Sequence, residues 1–307
     1  MKKMLAMMLL AAPALLAGCN KSQYTAYGLE GNTIIEFDTK TPGTVSNTVT
    51  LSTVSTIDSA DQVVSIFFGT DGTLYCTTNE YELCQIDTSS GTVSLITGGV
   101  TATGTNPITV FAGTNFNDDD LNGTTDISEV VAGYDPVNSN IRVFAKDSAS
   151  SAPNTPNSDN LNFDIDPTTL TPDSVTGDIS LVFAVGDSNA GQYPDLVSIA
   201  YSSPFSGATS STLYGIDSTT GNLVQIGDAD ATSASTSVHD GGVHTIGTLG
   251  TSVSGASLTI EAKNGDAFVA IGVTLYSIDL GSGALTSIGT ISDGSGDISS
   301  IAIDPSQ

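Results

Sequence analysis

Tryptophan is absent from this 307-residue chain, all four methionines fall within its first eight positions, and histidine occurs only twice. Whatever core follows must be built from Val, Ile, Leu, Phe, Tyr and Ala. Basic residues are equally scarce. Beyond position 18 only Lys21, Lys40, Arg142, Lys146 and Lys263 stand against 33 acids, a net charge of −28. Such a surface repels nucleic acid and anionic headgroups and favours divalent cations. No glycine loop is followed by Lys-Ser or Lys-Thr, so the phosphate cradle of the nucleotide hydrolases is missing. His239 and His244 share the glycine-rich stretch STSVHDGGVHTIG, and no third ligand at a recognisable spacing accompanies them. The segment GDSNAG, Gly186 to Gly191, lacks the Gly-x-Ser-x-Gly spacing that would make Ser188 a nucleophile. Asp187 and Asn189 within it read as a turn, or as a candidate ligand loop.

The first eighteen residues hold Lys2 and Lys3, an apolar run from Met4 to Leu16 broken by Pro13, and the small residues Ala17 and Gly18. The run is shorter than a membrane span and has the build of a secretory signal. Leu16-Ala17-Gly18-Cys19 resembles the lipobox of bacterial lipoproteins, in which the cysteine is lipidated and the chain is cut in front of it. The expectation is a signal peptide over 1–18, a lipidated tether over 19–23, and export to a bacterial membrane with lipid on Cys19. Asn20 lacks the aspartate that resembles an inner-membrane retention signal, which implies the outer membrane.

Self-similarity is the strongest internal signal. NTIIEFDTKTPGTV, YELCQIDTSSGTVSLIT, TLYGIDSTTGNLVQIG and TLYSIDLGSGALTSIG each read as a period-2 strand, a turn of Asp, Ser, Thr and Gly, and a second strand. A degenerate copy, LNFDIDPTTLTPDSV, begins at Leu161. Equivalent aspartates fall at Asp38, Asp87, Asp166, Asp217 and Asp279. A further strand pair precedes several copies, clearest in VVSIFFGTDGTLYCTT with its Asp71-Gly72 turn, so each unit has four strands. The expected fold is an all-β propeller over 24–307 with about five blades, six being the alternative. Its C-terminal DISSIAIDP supplies the opening strand that the N-terminal blade lacks, so the ends close the ring. Loop insertions are expected at 98–128 and 147–160, with a calcium-type loop over 114–129.

Two chemistries are legible. Cys76 and Cys84 flank a turn near Asn79-Glu80, and in an exported chain such a hairpin predicts a cross-strand disulfide. DDDLNGTTDISE places Asp118, Asp120, Asn122, Thr124, Asp126 and Glu129 at calcium-loop positions 1, 3, 5, 7, 9 and 12, with Gly123 at the sharp turn. Ca²⁺ is the one cofactor expected, bound weakly.

From about Val131 to Ile303 the chain resembles a bacterial family of exported proteins known only as a domain of unknown function. AGYDPVNSNIRVFAKD, VGDSNAG with VSIAYSS, GATSSTLYGIDSTTGNLVQIG and HTIGTLGTSVSGASLTIEAKNGDAFVA carry the likeness. Residues 24–97 match only the general repeat style. The resemblance implies a propeller-like domain and brings no activity. The functional expectation is therefore an envelope lipoprotein that binds a protein or glycan partner and is stabilised by calcium. The competing expectation is a metal-assisted hydrolase or lyase using acids, or His239 and His244, around the channel.

Overall fold

A computed structural model describes residues 22–53, 62–96, 127–147, 161–169, 181–227, 238 and 240–307. These form five small antiparallel sheets arranged as a five-bladed β-propeller, and no helix occurs among them. Blade 1 has the order β21 (Ile298–Ile303), β1 (Thr25–Glu30), β2 (Thr33–Asp38) and β3 (Thr41–Thr50). Blade 2 runs outward through β5 (Val63–Phe68), β6 (Leu74–Thr78), β7 (Leu83–Ile86) and β8 (Thr92–Leu95). Blade 3 has β9 (Ile127–Asp135), β10 (Asn140–Asp147) and β11 (Leu161–Ile165) among the described residues. In blade 4 the order is β13 (Leu196–Tyr201), β14 (Leu213–Asp217), β15 (Asn222–Ile226) and β16 (Gly242–Thr248). Blade 5 is β17 (Ser257–Ile260), β18 (Ala267–Ile271), β19 (Thr274–Ile278) and β20 (Leu285–Thr290). Two short parallel strands, β4 (Ser52–Thr53) and β12 (Val182–Phe183), cover the outer edges of blades 2 and 4 and blunt edges that would otherwise invite pairing with another chain.

The ring closes as its ends predict, with the last strand pairing antiparallel to the first from Ala26↔Ile303 to Glu30↔Ile298. Gln307 seals this joint, its Oε1 accepting from the Thr25 N–H and its Nε2 donating to the Thr25 carbonyl.

The core is five layers between blades. Successive side chains on a strand point to opposite faces, and here both faces are buried, so neighbours in sequence serve different junctions. Ile34 packs toward blade 2 while Ile35 packs toward blade 5. Leu74 and Cys76 face blade 1 while Tyr75 between them faces blade 3. Burial on both faces therefore fills in many of the polar positions of the period-2 pattern.

Each repeat aspartate holds its own turn by accepting backbone N–H groups two or three residues on. Asp87 Oδ1 takes Ser89 at 2.9 Å, Asp166 takes Thr168 at 2.8 Å, and Asp279 takes Gly281 at 3.1 Å. Gly91 and Gly283 lie at φ of 75°, and a Cβ on Gly91 would meet the Thr50 carbonyl oxygen at 2.3 Å, so the turn also requires the missing side chain. One expectation needs correction. In blades 1, 2, 3 and 5 the aspartate follows the third strand, whereas Asp217 ends the second strand of blade 4. The chemistry of a tight turn is the same for any adjacent antiparallel pair, so similarity of the phrase could not reveal which pair it joins.

The disulfide expectation is also corrected. Cys76 and Cys84 are directly opposed across β6 and β7, as the hairpin requires, but both are thiols buried between blades 1 and 2. The Thr78 N–H donates to the Glu82 carbonyl at 3.1 Å, and pairing type repeats every second residue. The cysteines thus occupy a hydrogen-bonded pair, where opposed side chains stand farther apart than in the alternate pairs. Burial and the neighbouring thiol push Cys76 well above the ordinary thiol range.

A central channel lined by edge strands

The innermost strands β5, β9, β13, β17 and β21 surround a channel of about 390 Å³. Each shares one edge with its own blade and turns the other to the channel, so its remaining N–H and C=O groups need partners from elsewhere. Serines supply them at three of the five junctions. Ser300 Oγ accepts from the Ile66 N–H at 3.0 Å and lies 3.3 Å from the Ile66 carbonyl oxygen, tying blade 1 to blade 2. Ser257 Oγ accepts from Ile301 at 2.9 Å, joining blade 5 to blade 1, and Thr259 accepts from Ile303 at 3.2 Å beside it. Ser198 Oγ accepts from Leu258 at 2.9 Å, joining blade 4 to blade 5.

The belt stops at blade 3. Ser65 shares its hydrogen bond with Thr77 Oγ1 of its own blade at 2.6 Å. The equivalent place in β9 is Val131, which has no hydroxyl and packs toward blade 4. The signal was present in sequence as a serine before Ile or Leu in VVSIFF, LVSIAY, ASLTI and ISSIAI, broken by EVVAGY.

Blade 3 is held by other means. Toward blade 2, Phe67, Tyr75 and Tyr134 stack in a column with centroids 5.8 and 5.9 Å apart, and burial raises the Tyr75 phenol to about 12. On the blade 4 side, the only arginine of the chain, Arg142, is 1 % exposed and donates to Asp164 and Asn162 at 2.7 Å each. Asn162 Nδ2 carries the network across to the Val238 carbonyl at 2.9 Å. Tyr201 of β13 lies alongside, its phenol raised by burial while the Arg142 guanidinium pulls the other way.

The two mouths differ in character. Where the inner strands begin, Val64, Asn79, Tyr81 and Glu129 line the opening, and Glu129 is the only carboxylate among the described lining residues. Its cross-strand partner Lys146 lies 3.8 Å away and bonds Asp195 at 2.5 Å. Burial, then the Asp195 charge, raises Glu129 above the ordinary carboxylate range, with Lys146 opposing. Tyr81 holds a φ of 61° there, a strained geometry for an aromatic residue. Where the strands end, Phe68, Tyr134, Tyr201, Pro204 and Pro305 form an aromatic and proline rim.

Among the described residues, Glu129 is the one candidate site residue from the sequence that lines this channel. Cys19, Asp118, Asp120, Asn122, Thr124, Asp126 and His239 lie outside the described residues. His244 sits on β16, opposite Gln225 and three strands out from the channel. Asp187 and Asn189 lie beyond that strand at the blade's edge. Asp187 accepts from the Thr245 N–H at 2.6 Å, the Thr245 hydroxyl and the Asn189 N–H, while Asn189 Nδ2 donates to Thr245. Burial raises Asp187, but these bonds outweigh it and the net shift is downward. This loop straps β12 to β16.

No curated protein matches the chain. A protein of unknown function from Bacteroides caccae is similar over 86% of this chain and 72% of its own, at 11% identity and a TM-score of 0.39. U3-55K is similar over 85% of this chain and 59% of its own, at 7% identity and 0.34. The extracellular domain of a one-component system from B. thetaiotaomicron matches 88% of this chain but only 28% of its own, at 15% identity and 0.31. A family profile described as a domain of unknown function, DUF4394, matches residues 33–302, so its reach begins a hundred residues earlier than the likeness read from sequence. With most of its length under that profile, the chain belongs to the DUF4394 family.

Proposed function

We propose that this chain is a lipid-anchored, exported binding module whose ligand site is the central channel. The observation that carries this reading is the channel itself. Its volume falls within the roughly 300–1,000 Å³ of small-molecule sites, and its walls present polar and apolar surface in about equal measure. Lipid on Cys19 would tether it to a bacterial outer membrane, facing a protein or glycan partner of the envelope. Ca²⁺ on Asp118, Asp120, Asn122, Thr124 and Asp126 would stabilise it. Glu129, the sixth member of that set, is cross-strand partner to Lys146, so calcium would have to compete with the ammonium for this carboxylate.

Retention of envelope components on the immobilised chain tests the reading, beside a Val64→Trp variant. Val64 is 41% exposed at the channel mouth, so an indole there should block access without disturbing the core. Retention by the wild type that the variant loses is the expected result. An empty column, or equal retention by both, would overturn the channel as the site. Calcium is tested by melting in millimolar calcium and in chelator: a rise in Tm that Asp118→Ala abolishes is expected, by linkage of ligand to stability.

A further inference from the structure

Among the described residues, the mid-channel N–H groups are covered by serines at three of the five inner strands and not at the two strands flanking the blade 3–4 junction. In β13 the Ser202 N–H donates to the Thr212 carbonyl at 2.8 Å, and bonded pairs recur at every second residue. Ile199, opposite Gly215, therefore falls in a non-bonded pair and turns its N–H and C=O away from β14, toward the channel. Ile66, Leu258 and Ile301, at the equivalent places, each have the N–H covered by a serine of the preceding blade. Ile199 faces Val131 instead. Ala132, which holds Ile66's place in β9, faces Ser65, whose hydroxyl is engaged with Thr77. Two adjacent backbone N–H groups, one on β9 and one on β13, thus lie without a serine partner midway along a cavity whose described lining has one carboxylate, at one mouth, and aromatic residues at the other.

We infer that the channel binds a neutral mono- or disaccharide, held by the backbone groups of Ala132 in blade 3 and Ile199 in blade 4, within the rim that Tyr134 and Phe68 line. The inference rests on the channel being the binding site. Adjacent sugar hydroxyls both donate and accept, as the two exposed backbone edges require. The uncharged walls at mid-channel disfavour an ammonium or carboxylate, because burying an unpaired charge is costly.

The test uses the chain from Asn20 onward, which contains every described strand, with calorimetry against maltose, cellobiose and xylobiose and against glucosamine and gluconate as charged counterparts. The expected result is binding of at least one neutral sugar, weakened about tenfold or more by Val131→Ser, which places a hydroxyl before the Ile199 N–H as Ser300 stands before Ile66. Ser89→Ala, in an exposed outer turn away from the channel, should leave that affinity unchanged. If Val131→Ser fails to fold, NOEs from sugar ring protons to the Ala132 and Val131 methyl groups of the wild type decide instead, and their absence overturns the inference. It is also overturned by preference for a charged probe, by unchanged affinity in Val131→Ser, or by no sugar binding. Envelope retention blocked by Val64→Trp, without sugar binding, would sink this inference and leave the channel reading intact; loss of both would sink both.

Discussion

Blades 4, 5, 1 and 2 and the lone blade 3 solve one problem in two ways. Around the first arc, each junction repeats a short device, a serine hydroxyl on the next blade's backbone, over an apolar layer. Among the described residues, blade 3 has no such device on either side and relies instead on an aromatic column and a buried ion pair. The contrast teaches that a repeat protein can stiffen most of its ring with a reused local bond. It can then leave one sector with backbone exposed to the channel, provided unique contacts hold that sector in place.

The largest effect that would break this comparison is at Arg142. Replacing it with Leu leaves Asp164 buried without its cation, and the expected loss is about 3–5 kcal/mol in urea unfolding. A loss below about 1 kcal/mol would mean that the blade 3–4 junction does not depend on the pair. Next comes the serine belt. Ser300→Ala removes the acceptor for a buried N–H and should cost about 1–3 kcal/mol, whereas Ser65→Ala, whose bond stays within its own blade, should cost less than about 1 kcal/mol. Equal costs would erase the distinction between tied and untied junctions.

Acid should act on both regions alike, because the turn aspartates occur throughout the ring. Side-chain and backbone bonds from Ser89 and Ser90 lower Asp87 from 3.8 to about 2, and hydrogen bonds from Thr168 and Thr169 lower Asp166 against its burial. A carboxylate lowered on folding contributes stability above its unfolded pKa and loses it as pH falls through the folded value. Stability is therefore expected to hold to the ordinary carboxylate range and to decline between 3.8 and about 2, followed by circular dichroism. Glu129 has the opposite sign. Its raised pKa makes the ionised form a cost, so in chelator Glu129→Gln should be slightly more stable than wild type at neutral pH, a gain that fades as pH falls through the carboxylate range. The smallest effect concerns the thiols. Ellman's reagent should find none in the native fold and both Cys76 and Cys84 after denaturation without reductant, while reductant leaves Tm unchanged. No thiol after denaturation would restore the disulfide.

Period-2 patterning, turn aspartates and the positive-φ glycines announce hairpins because they act within a few residues, and the half-blades at the two ends announce closure because an unpaired strand must find an edge. These are local rules, and they made the five-bladed ring legible in sequence. The same locality hid the rest. Asp217 wears the phrase of a third strand and ends a second one. Ser198, Ser257 and Ser300 look like ordinary strand polar residues until the ring brings each against the backbone of the next blade. Arg142 read as one of a few scattered surface cations, yet it lies at the centre of a junction, because Asp164, Asn162 and Val238 gather there only when blades 3 and 4 pack. The candidate site is of the same kind. Its wall is the free edge of five strands from distant parts of the chain, and which of those edges stays uncovered depends on a neighbour in space, a serine or a valine, that adjacency in sequence does not reveal.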